Sequence, residues 1–313
     1  MATDQDLACS TDVPLPNSPY VALHPHYGML LGVADFSADQ AYHRGKMRLH
    51  NAWAHGWGVL WGLGVSVDLT KGEVAVAPGL ALDGRGRELH NDAAQCVHVG
   101  RWFEAHRNDA GFVYTDTAGV IGFDAHVRIR HHACLTAPVP ALADSCSNDS
   151  AGIGYSRVFE TVLIELVPGL APPRSHRNHL LRVLAGLDEA RVDDDGNVLS
   201  ADQAALDARA EISAAAPADR VATAAAAAHR ISVQGSLADE PASPSDPDDS
   251  DARLFPSAGP ASLALADLAG VVLTPADAGY TLTAAPCDNQ VRSVLLATTT
   301  LQALGGALLA ALA

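Results

Sequence analysis

The chain has 313 residues, enough for one large domain or two modest ones with a substantial hydrophobic core. Its formal charge of −16 opposes binding to phosphate backbones, so we expect no nucleic-acid partner. No run of about 18 apolar residues predicts a membrane span, and the first residues lack a secretory signal, so we expect synthesis in the cytoplasm.

An extended arm and a helix open the chain. Four prolines disfavour helix and central strand, so residues 1–26 are predicted to be extended. A helix is expected to start at Asp35 or Ser37, because Ser37 and Gln40 have the spacing of a capping box.

One face of this helix is predicted to be apolar, because Tyr42, Leu49 and Trp53 stand at positions i, i+7 and i+11. Gly56 and Gly58 are expected to end the helix, since glycine adopts the left-handed conformation at little energetic cost.

Three of the four tryptophans, Trp53, Trp57 and Trp61, lie within nine residues. Because only 5% of the chain is aromatic, large side chains must be concentrated where the core forms. The sequence therefore predicts a folding centre in this neighbourhood.

A compact antiparallel β-domain is predicted next, because short runs of alternating valine and isoleucine are separated by glycine and proline turns. The predicted strands are 59–69, the pairs Val74/Val76 and Val97/Val99, 123–130 and 158–167; the turns are 70–72, Pro78-Gly79, Asp83-Gly84 and Pro168-Gly169; a short helix covers 101–106.

The second half of the chain changes composition after Pro173. Leucines at three- and four-residue spacing predict a helix over 176–190, and alanine-rich sequence predicts one or two helices over 201–228. Residues 238–251 are rich in proline and aspartate and are predicted to form a flexible loop. Strands at 268–273 and 280–283 and a final helix over 291–312 are expected to follow.

The fold class that these elements predict is α+β. The arm and first helix lead into the antiparallel β-domain, which precedes an Ala/Asp-rich helical insertion and a C-terminal hairpin with a helix. The expected segments are 1–26, 27–65, 66–173, 174–260 and 261–313.

Fourteen histidines raise the hypothesis of a metal-dependent hydrolase. Asp39, His43 and His50 fall on one helix face with the spacing of possible ligands, but the chain lacks an H-E-x-x-H motif. The turn at Asp193 begins like a calcium loop, but its sixth position is Val198, where glycine is required. We therefore expect no cofactor. The simpler alternative is that the histidine side chains hydrogen-bond to the backbone or pack against the tryptophans.

Five cysteines without a C-x-x-C pair argue against a zinc knuckle. Cys134 and Cys146 bracket a proline-rich loop and could form a disulfide; buried free thiols are the alternative.

A charged turn contains Asp83, Arg85, Arg87 and Glu88. Its arginines could bind carboxylates of a neighbouring subunit, since the guanidinium group matches carboxylate geometry. Local ion pairs within the turn are the alternative interpretation.

Several motifs occur together along the chain. They are Tyr27-Gly28-x-Leu30-Leu31, Asp35-Phe36, Gln40-x-Tyr42, Arg48-x-His50-Asn51, His55-Gly56-x-Gly58-Val59, Gly62-Leu63-x-Val65, Pro78-Gly79-x-Ala81-x-Asp83-x-x-Gly86-Arg87-Glu88, Cys134-Leu135-Thr136-x-Pro138-Val139-Pro140, Tyr155-Ser156-Arg157-x-x-Glu160 and Asp288-Asn289-x-x-Arg292. In combination they resemble a group of uncharacterised proteins encoded beside contractile phage-tail-like particles and extracellular contractile injection systems. Asp39 stands where that group usually has glutamate, and Trp61 where a smaller residue is expected.

The resemblance implies a non-enzymatic structural component of a contractile tail-like particle, at the baseplate or fibre attachment. The expected partners are baseplate, tube, sheath or fibre proteins, in a homo-oligomer or a symmetric hetero-assembly. The particle can then be released from the cell. A surface or secreted carbohydrate- or protein-binding module is the alternative. Candidate interface residues are Tyr42, Trp53, Trp57, Trp61, Arg85 and Arg87.

Overall fold

A computed structural model describes residues 8–9, 19–140, 153–172, 179–186, 189–193, 195–238, 261–276 and 279–295. The chain divides into two compact units, one from Met1–Pro172 with Gly259–Ala313 and one from Pro173–Ala258. Helices and three antiparallel sheets in the described residues confirm the predicted α+β class. The five-segment division stays a prediction.

The first unit contains thirteen described strands and two described α-helices. They are β1 (Ala8–Cys9), α1 (Val33–His50), β2 (Gly58–Gly62), β3 (Val65–Asp68), β4 (Glu73–Val76), β5 (Gly79–Leu82), β6 (Glu88–Asn91), β7 (Gln95–His98), α2 (Val99–His106), β8 (Thr115–Thr117), β9 (Val120–Pro140), β10 (Ile153–Pro168), β11 (Ser262–Ala276), β12 (Gly279–Ala284) and β13 (Cys287–Asp288).

The start of α1 differs from the predicted capping box. The helix begins at Val33, and the Asp35 carboxylate accepts a hydrogen bond from the backbone N–H of Gly32 at 2.8 Å. Ser37 therefore lies inside the helix. An acidic side chain in the first turn also complements the helix dipole, which favours the earlier start.

The end of α1 confirms Gly56 as the terminator, although by a different route. A π-helical turn, Asn51–His55, follows α1, and Gly56 then adopts a φ of +80°. Gly58 instead begins β2.

The buried face of α1 consists of small residues, so the predicted apolar stripe is wrong. Ala41 and Gly45 are buried, as is Ala52 in the π-turn, whereas Trp53 is exposed. Small side chains at this spacing permit close approach of the helix, and bulky ones on the same face would hold it away.

The folding centre also differs from the prediction. Trp53 and Trp61 are 45% and 67% exposed, and of that trio only Trp57 belongs to the core. The aromatic centre is built instead around α2, where the Phe103 ring stacks on Phe123 of β9 at 5.7 Å between ring centroids. The α2 rings are buried because the helix packs its apolar face against strands distant in sequence.

The strand β9 organises a seven-stranded sheet. It pairs antiparallel with β8, β10, β11 and β1, and β11 in turn pairs with β12 and β13. The predicted strands 123–130 and 158–167 are only parts of β9 and β10. Residues beyond Arg130 lack clear alternation, and pairing with β10 extends the strand to Pro140.

The predicted single strand 59–69 is wrong, because β2 and β3 belong to different sheets. The chain breaks at Gly62 and Leu63, which have φ values of +66° and +55°. Gly62 must be glycine, since an added Cβ would overlap the carbonyl oxygen of Pro78. Two three-stranded sheets result, β2-β5-β6 and β3-β4-β7. Thus Gly79, predicted in a turn, begins β5, and Val99 begins α2 rather than ending a strand.

Residues near the C-terminus close the junction between β2 and β3. The Asn289 side chain accepts a hydrogen bond from the Val65 N–H at 2.9 Å and donates one to the Val65 carbonyl at 3.0 Å. Arg292 donates to the carbonyl oxygens of Gly62 and Leu63. The Asp288-Asn289-x-x-Arg292 motif therefore has a structural role.

The predicted helix 291–312 is wrong over its first residues. Asn289–Val291 form a short 3-10 helix, and the backbones of Ser293 and Leu295 hydrogen-bond to Val59. Those bonds to β2 satisfy the backbone groups that a helix would have used. Residues 296–313, and most of the predicted loop 238–251, lie outside the described residues.

The second unit contains three described helices: α3 (His179–Ala185), α4 (Ser200–Ala214) and α5 (Arg220–Ala238). Their small core includes Leu180, Val183, Ala208 and Ile231. At its edge the fully buried Asp202 carboxylate binds His179 at 2.6 Å and Arg191 at 2.7 Å. The predicted helices in this region are confirmed, with shifted ends.

Candidate subunit interface and arginine cleft

An exposed apolar face lies before and at the start of α1. We define the apolar face as Tyr27, Leu30, Val33 and Phe36, whose side chains are all exposed; Leu30 is 93% and Val33 85% accessible. A single exposed apolar residue is ordinary, but four within ten residues form a patch typical of interaction sites.

A groove continues the apolar face between α1 and the outer part of β10. It has a volume of about 660 Å³, and Val33 and Phe36 line one side while Tyr155 and Val158 line the other. Arg44 lines the same groove. Apolar side chains on both walls could contact a partner's side chains, while Ser37, Gln40, Ser156 and Arg157 add polar groups to the lining.

A second exposed apolar site lies on β2. The register between β2 and β5 shifts after Val59, so Leu60 is the extra residue of a β-bulge. Regular alternation would turn Leu60 and Trp61 to opposite faces, but the bulge leaves both side chains exposed. The sequence gives no signal for this bulge.

A cleft with three arginines lies beside the C-terminal half of α1. We define the arginine cleft by Arg44, Arg48, Arg87, His131 and Glu160, which line a cavity of about 300 Å³. The residues come from α1, the turn before β6, β9 and β10, so only the tertiary structure brings them together.

The fully buried Asp83 carboxylate shapes one wall of the arginine cleft. Its Oδ1 accepts hydrogen bonds from the backbone N–H groups of Arg85 at 2.9 Å and Arg87 at 2.8 Å. Its Oδ2 accepts one from the Arg87 side chain at 2.6 Å. These hydrogen bonds fix the conformation of the turn. The Arg87 guanidinium also donates to the Ala261 carbonyl, so both of its described hydrogen bonds are made within the chain.

The same turn docks on the end of α1 through Gly86. Asn51 donates a hydrogen bond to the Gly86 carbonyl at 3.2 Å. Gly86 has a φ of +69°, and an added Cβ would overlap the Arg48 carbonyl oxygen. Glycine is required here for both conformation and close approach.

Glu160 is held loosely between two basic groups of the arginine cleft. Its Oε1 lies 3.7 Å from Arg48 Nη2 and 3.9 Å from His131 Nε2, both beyond hydrogen-bond distance. The Glu160 side chain is half exposed, while that of His131 is only 8% exposed. Within the described parts of the chain, His131 Nε2 is buried without a hydrogen-bond partner.

The arginine cleft has a positive potential at His131. Burial and, after it, the charges of Arg87 and Arg48 together lower the pKa of His131 to about 4. The imidazole is therefore neutral at pH 7, so the 3.9 Å contact with Glu160 is not an ion pair. Burial also lowers the pKa of Arg48, against the opposing charge of Glu160.

The six candidate interface residues fall into three environments. Trp53, Trp61 and Arg85 are exposed, Tyr42 and Arg87 are half-buried, and Trp57 is in the core. Tyr42 lies under the Lys46 ammonium, 5.6 Å from its ring centroid. The structure thus gives Arg87 the local ion pair that was the alternative interpretation. The interface role of the exposed residues stays a prediction.

The histidines proposed as metal ligands are dispersed. His43 Nε2 lies 3.8 Å from Asp39, but the His50 ring packs edge-on against His55. At the suggested calcium turn, Asp193 accepts hydrogen bonds from the backbone of Asp195 and Asn197. In the portion of the chain that the structure describes, no group of three potential ligands converges on a metal position.

Cys134 forms a disulfide. Cys146, the partner considered from sequence, lies outside the described residues, so that pairing stays a prediction. Cys96 and Cys287 are free thiols.

A scan against protein-family models and a search of curated proteins find no match to this chain. Among the helices in the described ranges, none is both long and apolar enough to cross a membrane.

Proposed function

We propose that the chain is a non-enzymatic structural subunit of a contractile tail-like particle, at the baseplate or fibre attachment, where it acts by packing against other subunits. The observation that carries this proposal is the apolar face, which stays exposed in the isolated chain. The motif resemblance supports the choice of particle.

A partner that buried the apolar face would stabilise the complex through the hydrophobic effect. Fully burying side chains such as those of Leu30, Val33 and Phe36 contributes about 1.5–3 kcal/mol each. The adjoining groove supplies a concave surface, and Trp61 and Leu60 offer a second patch. Two separate patches suit a subunit with neighbours on two sides, as in a cyclic or heterologous assembly. The proposed partners are baseplate, tube, sheath or fibre proteins, without a cofactor.

Particle incorporation tests the proposal. Particles would be purified from cells that express either the wild-type chain or Val33→Glu/Phe36→Glu, and their protein content measured by mass spectrometry. We expect the wild-type chain in the particle and at least a tenfold loss of the variant, because charges on a buried contact are costly to desolvate. Val113→Glu is the control, since Val113 is equally exposed but lies outside the apolar face.

Absence of the wild-type chain from purified particles would contradict the proposal. Equal loss of the control variant would show a general effect of added charge. Light scattering on the purified chain measures self-association independently of other subunits.

The exposed Trp61 ring favours the second candidate, a surface or secreted binding module. A planar aromatic ring outside the core offers a stacking surface for a sugar or a protein side chain. This candidate requires a stable monomer that binds a glycan or protein, with binding lost in Trp61→Ala and retained in Trp53→Ala.

A further inference from the structure

The arginine cleft combines positive charge with an unsatisfied buried polar atom. Within the described residues Arg44 forms no ion pair, while Arg48 has only the 3.7 Å contact with Glu160. Arg87 is ion-paired with Asp83, so it contributes positive electrostatic potential to the cleft and not a free hydrogen-bond donor. Glu88 also lines the cavity but forms no ion pair within the described residues, so the guanidinium groups of Arg44 and Arg48 have no carboxylate within hydrogen-bond distance.

The orphaned His131 nitrogen indicates what is missing. A buried polar atom without a partner costs about 1–3 kcal/mol, so native structures usually satisfy such atoms. With its proton on Nε2, neutral His131 presents an N–H donor, and arginines are donors only. Donors without an acceptor fit an oxyanion.

The position of Glu160 points to the class of oxyanion. Its carboxylate already lies between Arg48 and His131, but at distances too long to bind either. A ligand carboxylate that displaced the half-exposed Glu160 side chain could bring one oxygen to each donor. The cavity, at about 300 Å³, is large enough for an amino-acid side chain.

We propose that the arginine cleft binds a carboxylate group of a partner protein, from an acidic side chain or a chain terminus, which replaces Glu160 between Arg48 and His131. Arg44 at the mouth, which lines both this cleft and the neighbouring apolar groove, pairs with the same group. The identity of the partner rests on the proposed function, but the chemistry of the cleft does not.

Binding of small carboxylates to the full-length chain tests this proposal. N-acetylglutamate amide carries the side-chain group, N-acetylalanine carries the terminal group, and inorganic phosphate is the comparison. Binding would be followed by NMR of histidine-labelled protein, with the His131 signals assigned from His131→Gln. We expect saturable shifts of the His131 signals with at least one carboxylate and weaker ones with phosphate.

Three variants are expected to change the affinity for carboxylates, two by weakening binding and one by tightening it. Arg44→Gln and Arg48→Gln should each weaken carboxylate binding about tenfold, because each removes a charged hydrogen-bond donor. Glu160→Gln should tighten it about tenfold, because the competing negative charge is removed. Arg85→Gln is the control, since Arg85 lies on the turn that carries Arg87 but is exposed and does not line the cleft; it should leave affinity unchanged.

Each result separates the proposal from its rivals. Unchanged or weaker binding in Glu160→Gln, or equal weakening in Arg85→Gln, would overturn it, as would the absence of a saturable His131 shift. Tighter binding of phosphate would overturn the carboxylate assignment. If Arg48→Gln fails to fold, half-exposed Arg44 provides the test. Absence of carboxylate binding would not change the result of the particle-incorporation experiment. Absence of the chain from particles would likewise not change the carboxylate-binding result.

Discussion

Asp83 and Asp202 are both fully buried carboxylates that bind an arginine, yet their pKa values shift in opposite directions. Burial raises the pKa of Asp83 and outweighs the charge and hydrogen bonds of Arg87. Burial also opposes ionisation of Asp202, but hydrogen bonds from Arg191 and His179 win and lower its pKa to about 2. Arg191 is half exposed, so the second site lies closer to water.

The difference separates a closed polar network from an open one. In the second unit, Asp202 is bound by His179 and by the backbone and side chain of Arg191. In the first unit, Asp83 organises a turn beside Glu160 and His131, which have no hydrogen-bond partner for their facing side-chain atoms among the described residues. Both networks contribute stability, but the groups beside Asp83 also retain the capacity to bind a ligand.

The largest expected effect is from Asp83→Asn, which should lower the free energy of unfolding of the first unit by about 3–5 kcal/mol. Removing one partner leaves the charge of Arg87 half-buried and uncompensated. All four tryptophans lie in this unit, so urea denaturation followed by tryptophan fluorescence reports on it selectively. Asp68→Asn is the control, because the Asp68 carboxylate accepts two backbone N–H hydrogen bonds in an exposed turn and its replacement should have a much smaller effect. Equal losses of unfolding free energy in Asp83→Asn and Asp68→Asn would show that the buried carboxylate is no more important for stability than the exposed one.

Gly86→Ala should destabilise the same unit by about 3 kcal/mol. The left-handed conformation costs about 1–2 kcal/mol, and overlap with the Arg48 carbonyl adds to it. Gly111→Ala shares the positive φ but meets no atom within 4 Å, so it isolates the conformational cost. A difference near zero between the two variants in fluorescence-monitored denaturation would show that α1 does not dock closely on the turn.

Asp202→Asn should destabilise the second unit by about 1–2 kcal/mol after allowance for solvent screening, because the ionised carboxylate accepts hydrogen bonds from His179 and Arg191 that lower its pKa to about 2. A depressed carboxyl pKa contributes stability that is present above the unfolded value and is lost as pH falls through about 2. Hydrogen exchange of α4 and α5 measures this unit directly. Asp207→Asn, on the exposed face of α4, is the control. Loss of protection in β9 instead would contradict the assignment of the effect to the second unit.

The smallest effect concerns pH and His131. The unfolded imidazole binds a proton near pH 6.5, whereas the folded one does so near 4, so stability falls as pH drops through this window. With allowance for solvent screening, the loss between pH 6.5 and 5 should be about 1 kcal/mol, and His131→Gln should abolish this part of the dependence. Denaturation at several pH values checks it. An unchanged pH dependence in His131→Gln would show that the folded imidazole is not shielded, and a bound carboxylate should shift the wild-type profile.

Sequence reasoning succeeded where a pattern is local. The Asp83-Gly84 turn, the Gly56 stop and the alternation in β9 were predictable, because each depends on backbone conformation or on neighbours within a few residues. The arginines of the turn were identified from the sequence. The sequence could not decide between a local ion pair and a carboxylate of a neighbouring subunit as their partner.

Residue burial was harder to predict. Trp53, Trp57 and Trp61 are chemically alike and close together, yet one is buried and two are exposed. The bulge at Leu60 leaves Trp61 exposed, and in the π-helical turn that contains Trp53 the buried residue is Ala52. Neither feature has a recognisable sequence signature, whereas the clustering of tryptophans predicts that all three are buried.

The amino-acid sequence by itself determined the α+β class, tight turns such as the one at Asp83-Gly84 and the helical character of the second unit, because these follow from short-range propensity and spacing. Only the tertiary structure decided that Arg44 and Arg48 on α1 meet His131 on β9 and Glu160 on β10. Those residues are distant along the chain, and strand pairing and the docking of Gly86 bring them together. The arginine cleft, with its orphaned nitrogen, is therefore a product of long-range packing.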